Sequence, residues 1–510
     1  MSIVVKETHT AVVVLFGGHA YKLKKPVDFG FLDFTTLRAR LAACRREVEL
    51  NRRLAPDVYE GVADVLGPDG QVCEHLVVMR RMPGERRLAT LVRAGAPVDE
   101  QLRAVARAVA GLHASSPHGP GIDREGGVEA LRGRWTDGFD QVRGLPSMPI
   151  ERPVLEEIER LALRFLDGRA PLFEARRAAR RIVDGHGDLQ AEDVFCLDDG
   201  PRILDCLEFD DRLRFLDGLD DAAFLAMDLE RLGAPLLAER FLSWYVEFSG
   251  DPAPPALWHH YVAYRAFVRA KVACLRHWQD RSDTTGSDTT AEARAQAEAG
   301  TEARRLAELA LRHLRAGAVS LILVGGAPAT GKSTIGGALA DRLGHTLLRS
   351  DRVRKELAGL DPLRPAAAPY RQGIYDAAHT EQVYAELLSR AEKLLGSGES
   401  VVLDATWGDR RHRDAAEQVA LRAAADLVQL RCTATPRIID RRLAARRPGL
   451  SDADPAVSRL MTADLDAWPD AVEIDTGTAL QDSLEQALRA VHRAGPEPSR
   501  RFRRPRIEPG

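Results

Sequence analysis

The sequence is short of cysteine, of lysine, of net charge and of long apolar runs, and each shortage removes a class of function. Six cysteines (Cys44, Cys73, Cys196, Cys206, Cys274, Cys432) lie far apart, with no Cys-x-x-Cys pair and no histidine at zinc spacing. A disulfide scaffold and a zinc finger are thereby excluded, and buried or free thiols in a reducing compartment are expected. A formal net charge of −3 gives no global pull toward nucleic acid or membrane. The run "AVVVLF" (residues 11–16) is too short to span a bilayer and follows charged residues, so it reads as a strand rather than a signal core. The expectation is a cytoplasmic protein with no membrane partner. Arginine far outnumbers lysine and alanine is abundant, a bias of GC-rich bacterial genomes, so each lysine is worth asking about.

What is present is 510 residues, 45% hydrophobic and 29% charged, enough for about three compact units. The first eighty residues read as strands around one helix. "VVVLFGGHAYKLKK" is a hairpin turning at Gly17-Gly18, and "FTTLRARLAACRREVELNRRLAP" is a helix capped by Thr35 or Thr36 and stopped by Pro56. Helical patterns follow, interrupted by a strand–loop–strand island at residues 180–209. A polar stretch at about 281–300 reads as a flexible loop. From residue 319 strands and helices alternate to about 494, and the Arg- and Pro-rich tail 495–510 reads as disordered.

"GAPATGKS" satisfies the phosphate-binding pattern G-x-x-x-x-G-K-S/T: Gly326, Ala327, Pro328, Ala329, Thr330, Gly331, Lys332 and Ser333, followed by Thr334. The apolar strand "SLILVG" precedes it and the amphipathic helix "STIGGALADRL" follows it. Glycines let backbone N–H groups wrap an anion at a helix N-terminus. Lys332 is expected on the β- and γ-phosphates of ATP and the Ser333 hydroxyl on Mg²⁺. Asp351 and Asp404 follow strand-like runs, where a carboxylate can orient a substrate hydroxyl or hold Mg²⁺ through water. Asp351 could equally cap a helix. "RIIDRRLAARRPG" supplies Arg441, Arg442, Arg446 and Arg447, as a phosphate-neutralising lid needs.

This half resembles the small-molecule kinase branch of phosphate-loop proteins, through "SDRVRKEL" and "VVLDATW" with its following arginines. The resemblance implies ATP and a hydroxyl acceptor, with Asp351 as base and Arg354 as a substrate contact. No Asn-Lys-x-Asp motif for guanine is present.

In the first half, phosphoryl transfer needs an Asp near the acceptor, carboxylates for Mg²⁺ and a lysine on the nucleotide phosphates. Lys22 and Lys24 lie on one face of a strand, with Glu47 or Glu49 to pair with either, and Glu47 is the expected partner. Asp188 lies in "HGDLQAED", and Asp205 ends "ILD". Residues 1–318 resemble the aminoglycoside-phosphotransferase-like kinases through "AYKLKKPV", "REVELNRRLAP", "HGDLQAED" and "ILDCLEFDD". The resemblance implies a bilobal α+β protein-kinase-like fold, with a small lobe to about 82 and a helical large lobe to 318. A P-loop α/β domain with a parallel sheet, 319–494, is fused to it. The whole chain is similar to bacterial bifunctional aminoglycoside phosphotransferase/ATP-binding proteins.

Two departures matter: Asp193 stands where that family has a metal-binding Asn, and "VVKETHT" lacks the glycines of a nucleotide-covering loop, leaving backbone amides or Thr8 and Thr10. The expected function is ATP-dependent transfer to hydroxyls of small molecules at two sites. Asp188 would be the first base and Asp193 and Asp205 the carboxylates for Mg²⁺ or Mn²⁺. The rivals are a nucleotide-sensing pseudokinase and a polynucleotide-end or nucleoside kinase anchored by the tail, although the short tail with Phe502 alone reads first as a solvated terminus. The acceptors and the oligomeric state are not legible.

Overall fold

The computed structural model describes residues 3–7, 10–28, 33–279, 289–361, 372–445 and 465–494. Two compact units emerge: Met1–Glu159 with Phe173–Ala253 and Trp258–His313, and Arg160–Leu172 with Pro254–Leu257 and Leu314–Gly510. No described helix is long and apolar enough to cross a membrane.

The first unit opens with an antiparallel sheet of order β1-β2-β3-β5-β4. Its strands are β1 (Val4–Glu7), β2 (Ala11–Phe16), β3 (His19–Lys24), β4 (Tyr59–Leu66) and β5 (Val72–Arg80). Phe16 pairs with His19 across the Gly17-Gly18 turn, and Gly17 supplies the positive φ of 58° that such a two-residue hairpin requires. The helix Leu37–Asn51 packs Cys44 and Val48 against Ala20, Val77 and Met79 of the sheet. Thr36 caps it, accepting from the Ala39 N–H at 3.2 Å. The helix stops at Asn51 rather than at Pro56, because hydrogen-bonded turns take the chain from Asn51 to Ala55, the residue that proline bars from helix.

The rest of this unit is mainly helical, with two short antiparallel pairs. β6 (Ile182–Asp184) pairs with β9 (Phe215–Asp217), and β7 (Val194–Leu197) with β8 (Gly200–Ile203). A helix occupies the second part of the stretch expected as a flexible loop. The helix Thr289–Ala316 already begins in the polar run, because "TTAEARAQAEAG" is rich in alanine, glutamate, arginine and glutamine, all strong helix formers. Residues 281–288 and the tail 495–510 lie outside the described residues.

The second unit carries a parallel sheet of order β11-β12-β10-β13-β14. Its strands are β10 (Ser320–Gly325), β11 (Thr346–Arg349), β12 (Val401–Asp404), β13 (Asp426–Thr433) and β14 (Val472–Asp475). β10 is buried along its length, as a strand covered on both faces must be. It lies between β12 and β13, so the loop leaving its carboxyl end opens where the strand order reverses, the usual ligand position in such sheets. The chain therefore combines an α+β unit, an antiparallel sheet followed by helices, with an α/β unit whose parallel sheet carries a glycine loop.

Candidate functional sites

In the first unit three segments converge on β3. Lys22 Nζ lies 2.9 Å from Glu47 Oε1 and 2.5 Å from Asp205 Oδ1. Lys24 Nζ lies 2.6 Å from Glu47 Oε2 and also pairs with Glu208. Period-two alternation along β3 aims both ammoniums at one fully buried carboxylate. Glu49 instead pairs with Arg46 on the outside of the helix. Burial alone would raise Glu47, but the Lys22 and Lys24 charges hold it below its ordinary value. The two lysines differ in access: Lys24 is 2% exposed and enclosed by two carboxylates, whereas Lys22 reaches Asp205, whose side chain is 48% exposed. Lys22 is thus the ammonium nearest open space.

Glu47→Gln leaves two buried ammoniums without their shared counter-charge. It is expected to destabilise the first unit by about 3 kcal/mol, read from denaturant unfolding beside the wild type.

Asp205 adopts φ 63°, a left-handed conformation that aspartate tolerates, and its N–H donates to the Tyr59 hydroxyl at 3.2 Å. Asn51 accepts from the Cys206 N–H at 2.9 Å, and Arg53 donates to the Asp184 and Gly185 carbonyls. The end of one helix thereby fixes both the Asp205–Cys206 turn and the approach to the "HGD" loop. In that loop His186 Nε2 lies 3.0 Å from the Leu204 carbonyl, and its backbone N–H donates to Asp221 at 2.7 Å. Gly187 N–H donates to the other Asp221 oxygen, and His113 also meets Asp221. Burial holds the His186 imidazole below its ordinary value, so it braces the loop as a neutral ring.

Asp188 is half-buried and accepts from the Gln190 amide at 2.9 Å. Burial pushes its carboxyl up to about 6; Arg269 opposes the rise and the Asp205 charge adds to it. Asp193 is pushed well above the carboxylate range by burial and then by Asp205 and Asp188. Asp188, Asp193 and Asp205 thus feel one another's charge, a repulsion that a bound divalent cation such as Mg²⁺ or Mn²⁺ would relieve.

In the second unit the "GAPATGKS" loop leaves β10, and the helix Lys332–Leu343 starts behind it at Gly331. Gly326 has φ 138°, and a Cβ there would sit 2.6 Å from the Cys432 carbonyl, so only glycine fits. Ala329 is held at φ 63°. The Lys332 ammonium has no hydrogen bond or ion pair among the described residues, and Ser333 and Thr334 are exposed. A cavity of about 370 Å³ beside them is lined by Gly331, Lys332, Ser333, Arg442, Thr476 and Leu480 among others. Arg442, on the helix Pro436–Ala444, donates to the Ala329 carbonyl at 3.3 Å and to the Thr476 carbonyl at 2.5 Å. It is thereby held against the loop. Arg446 lies outside the described residues.

Asp404 ends β12 in register with Val324 of β10, is 4% exposed, and keeps Oδ1 without a hydrogen-bond partner. A buried orphan oxygen beside a phosphate loop fits a hydrated Mg²⁺. Asp351 follows β11 at the same sheet edge. It stands inside the first turn of the helix Ser350–Leu357, with Arg349 at the cap position, so it is not the cap. Arg354 is 7% exposed and donates to the Ile374 carbonyl and Thr380 hydroxyl, while its Nε has no partner.

Several residues escaped the sequence reading. Glu208, Asp220, Asp221 and Asp228 hold the first site together: Arg265 is locked to Asp220 at 2.7 Å, and the Ala191 N–H donates to Asp228 at 2.9 Å. For the three aspartates the signal was their recurrence inside the apolar helix Gly218–Arg231, where an unpaired carboxylate would be costly. Arg269, one turn beyond Arg265, has no hydrogen bond or ion pair among the described residues.

A family model described as an AAA domain matches residues 321–467. Uncharacterized protein Rv2004c of Mycobacterium tuberculosis is 42% identical over 483 residues, 95% of this chain and 94% of that protein. Uncharacterized protein Mb2027c of Mycobacterium bovis matches to the same extent. Among solved structures, a choline/ethanolamine kinase family protein from Mesorhizobium loti is 15% identical. It covers 62% of this chain and 92% of its own, with a TM-score of 0.37. A gluconokinase from Sinorhizobium meliloti is 18% identical over 35% of this chain and 93% of its own, with a TM-score of 0.26.

Proposed function

The chain belongs to the family of Uncharacterized protein Rv2004c of Mycobacterium tuberculosis, and from the sites it carries we propose an ATP-dependent phosphotransferase with two nucleotide sites. Each site moves the γ-phosphoryl group of ATP to a hydroxyl of a small molecule. The observation that carries this reading is the convergence of Lys22, Glu47 and Asp205 from three separate segments, in the unit that also presents the Asp188 loop. Ion pairing alone would not call for a loop braced on both sides next to an exposed carboxylate.

At the first site Lys22, rather than Lys24, takes the ATP phosphates, and Glu47 fixes its direction. Asp205 and Asp193 would hold Mg²⁺, which when bound neutralises phosphate charge. Asp188 accepts the proton of the acceptor hydroxyl as its oxygen bonds to the γ-phosphorus. The bond from that phosphorus to the β–γ bridging oxygen breaks, and ADP leaves with the electron pair. At the second site Lys332 and the loop amides hold ATP, and Ser333 and Asp404 would hold Mg²⁺. Asp351 orients a second acceptor, which Arg354 contacts, while Arg442 supports the ATP phosphates from its place against the loop. The acceptor classes to test are sugars, aminoglycosides and nucleosides, and the setting is the cytoplasm.

The deciding experiment is ATP consumption with product analysis across those acceptors, run for wild type, Asp188→Asn and Lys332→Ala. Acceptor-dependent turnover lost in one variant assigns that acceptor to one unit. ATP binding without transfer to any acceptor favours the second reading, a nucleotide-sensing pseudokinase, for which Asp193 is the specific sign.

Asp193 yields a prediction of its own. Its carboxyl lies well above the ordinary range and must lose a proton to ligate a cation. Divalent-metal activation of the first site should therefore strengthen as pH rises. Asp193→Asn removes that proton and should flatten the dependence, as metal titrations at acid and alkaline pH would record.

A further inference from the structure

We propose that Glu381, Asp409 and His412 form a binding site for a first-row divalent metal, with Zn²⁺ as its representative, separate from the Mg²⁺ positions at Ser333 and Asp404. Glu381 lies in the first turns of the helix Ala377–Gly396, Asp409 caps the helix Arg410–Arg422, and His412 follows in that helix's first turn. One ligand atom from each lies within 4.8 Å of the other two. From that spacing a small side-chain shift brings all three to one ion at bonds of about 2.0–2.2 Å.

The histidine is what separates this cluster from an ordinary group of surface acids. His412 is 8% exposed, and its Nε2 is buried without a hydrogen bond, 3.2 Å from Glu381 Oε2. Its ring is clamped flat on Tyr384, with centroids 3.7 Å apart and planes 8° apart. Tyr384 is itself held by accepting from the Trp407 N–H at 3.1 Å. The imidazole is thus pre-oriented, with a buried nitrogen aimed at the carboxylates. A buried nitrogen without a well-aligned hydrogen bond is costly, and a metal–nitrogen bond removes that cost.

The carboxylates, by contrast, are accessible, with Glu381 53% and Asp409 32% exposed at the side chain. Arg411 covers them from outside, 2.6 Å from Asp409 Oδ2 and 3.4 Å from Glu381 Oε1. That guanidinium is 76% exposed and can swing away, so it acts as a displaceable counter-ion. One imidazole with two carboxylates suits zinc, manganese or cobalt and disfavours calcium, which takes oxygen ligands. Three protein ligands leave at least one position for water or a bound oxygen.

The test is Zn²⁺ titration of the nucleotide-free full chain by calorimetry, repeated with Co²⁺ to record its visible absorption. Glu381→Gln and Asp409→Asn should each weaken binding by at least about tenfold, and asparagine preserves the helix cap. Arg411→Ala should tighten binding, and Asp404→Asn should leave it unchanged. The absence of saturable binding overturns the proposal. So does binding indifferent to Glu381 and Asp409, or binding abolished by Asp404→Asn.

Discussion

Asp188→Asn is expected to lower phosphoryl transfer at the first site by about 10³-fold while leaving ATP binding nearly intact. The reason is positional. Asp188 stands in a loop whose backbone is pinned by Asp221 from below and whose His186 ring is tied to Leu204, so asparagine can take its place without disturbing the loop. What asparagine cannot do is accept a proton as the acceptor oxygen attacks. The carboxyl, raised to about 6 by burial, also dictates the pH dependence. A base works in its ionised form, so transfer should rise through about pH 6 and level off above it. In Asp188→Asn the residual rate should lose that inflection. A pH–rate profile of kcat for both proteins, with ATP affinity measured in parallel, checks both statements. Loss of ATP affinity in the variant would instead mean that Asp188 shapes the nucleotide pocket.

Lys332→Ala should have the comparable effect at the second site, lowering its ATP-dependent turnover by about 10²–10³-fold. The Lys332 ammonium has no partner in the described structure to share its charge, so its removal breaks no internal ion pair and should barely change stability. Its contribution appears only when phosphate charge is present beside Gly331 and Ser333. Thermal unfolding without nucleotide should therefore match the wild type. The stabilisation that saturating ATP gives this unit should shrink. A variant that is destabilised even without nucleotide would show a packing role instead.

The two sites were legible in the sequence to different degrees. The phosphate loop was readable whole, because its chemistry is carried by eight consecutive residues on a strand, a loop and a helix. Cβ contacts at Gly326 then gave the steric reason for one of its glycines. At the first site the chemical groups were visible, but their partners were not. Whether Lys22 or Lys24 faces open space depends on Glu208 and Asp205, more than 180 residues away along the chain. Glu47 and Glu49 were equivalent as letters, and only helix rotation against the sheet turned one inward and the other toward Arg46. The start of the helix at Thr289 was hidden for a different reason, since a run of good helix formers without apolar periodicity resembles a linker.

The sequence alone determined which elements form and which chemistry each could carry: period-two strands, a capped amphipathic helix, a glycine loop before a lysine, and aspartates at strand ends. These are local properties, set by backbone sterics, side-chain spacing and turn chemistry within a few residues. Tertiary structure decided which carboxylate meets which cation, that Asp220, Asp221 and Asp228 brace the Asp188 loop, and that His412 points a buried nitrogen at two acids. Those outcomes depend on burial and on charges brought together from distant segments. In a low-dielectric interior such pairings have large energies, and spacing along the chain does not encode them.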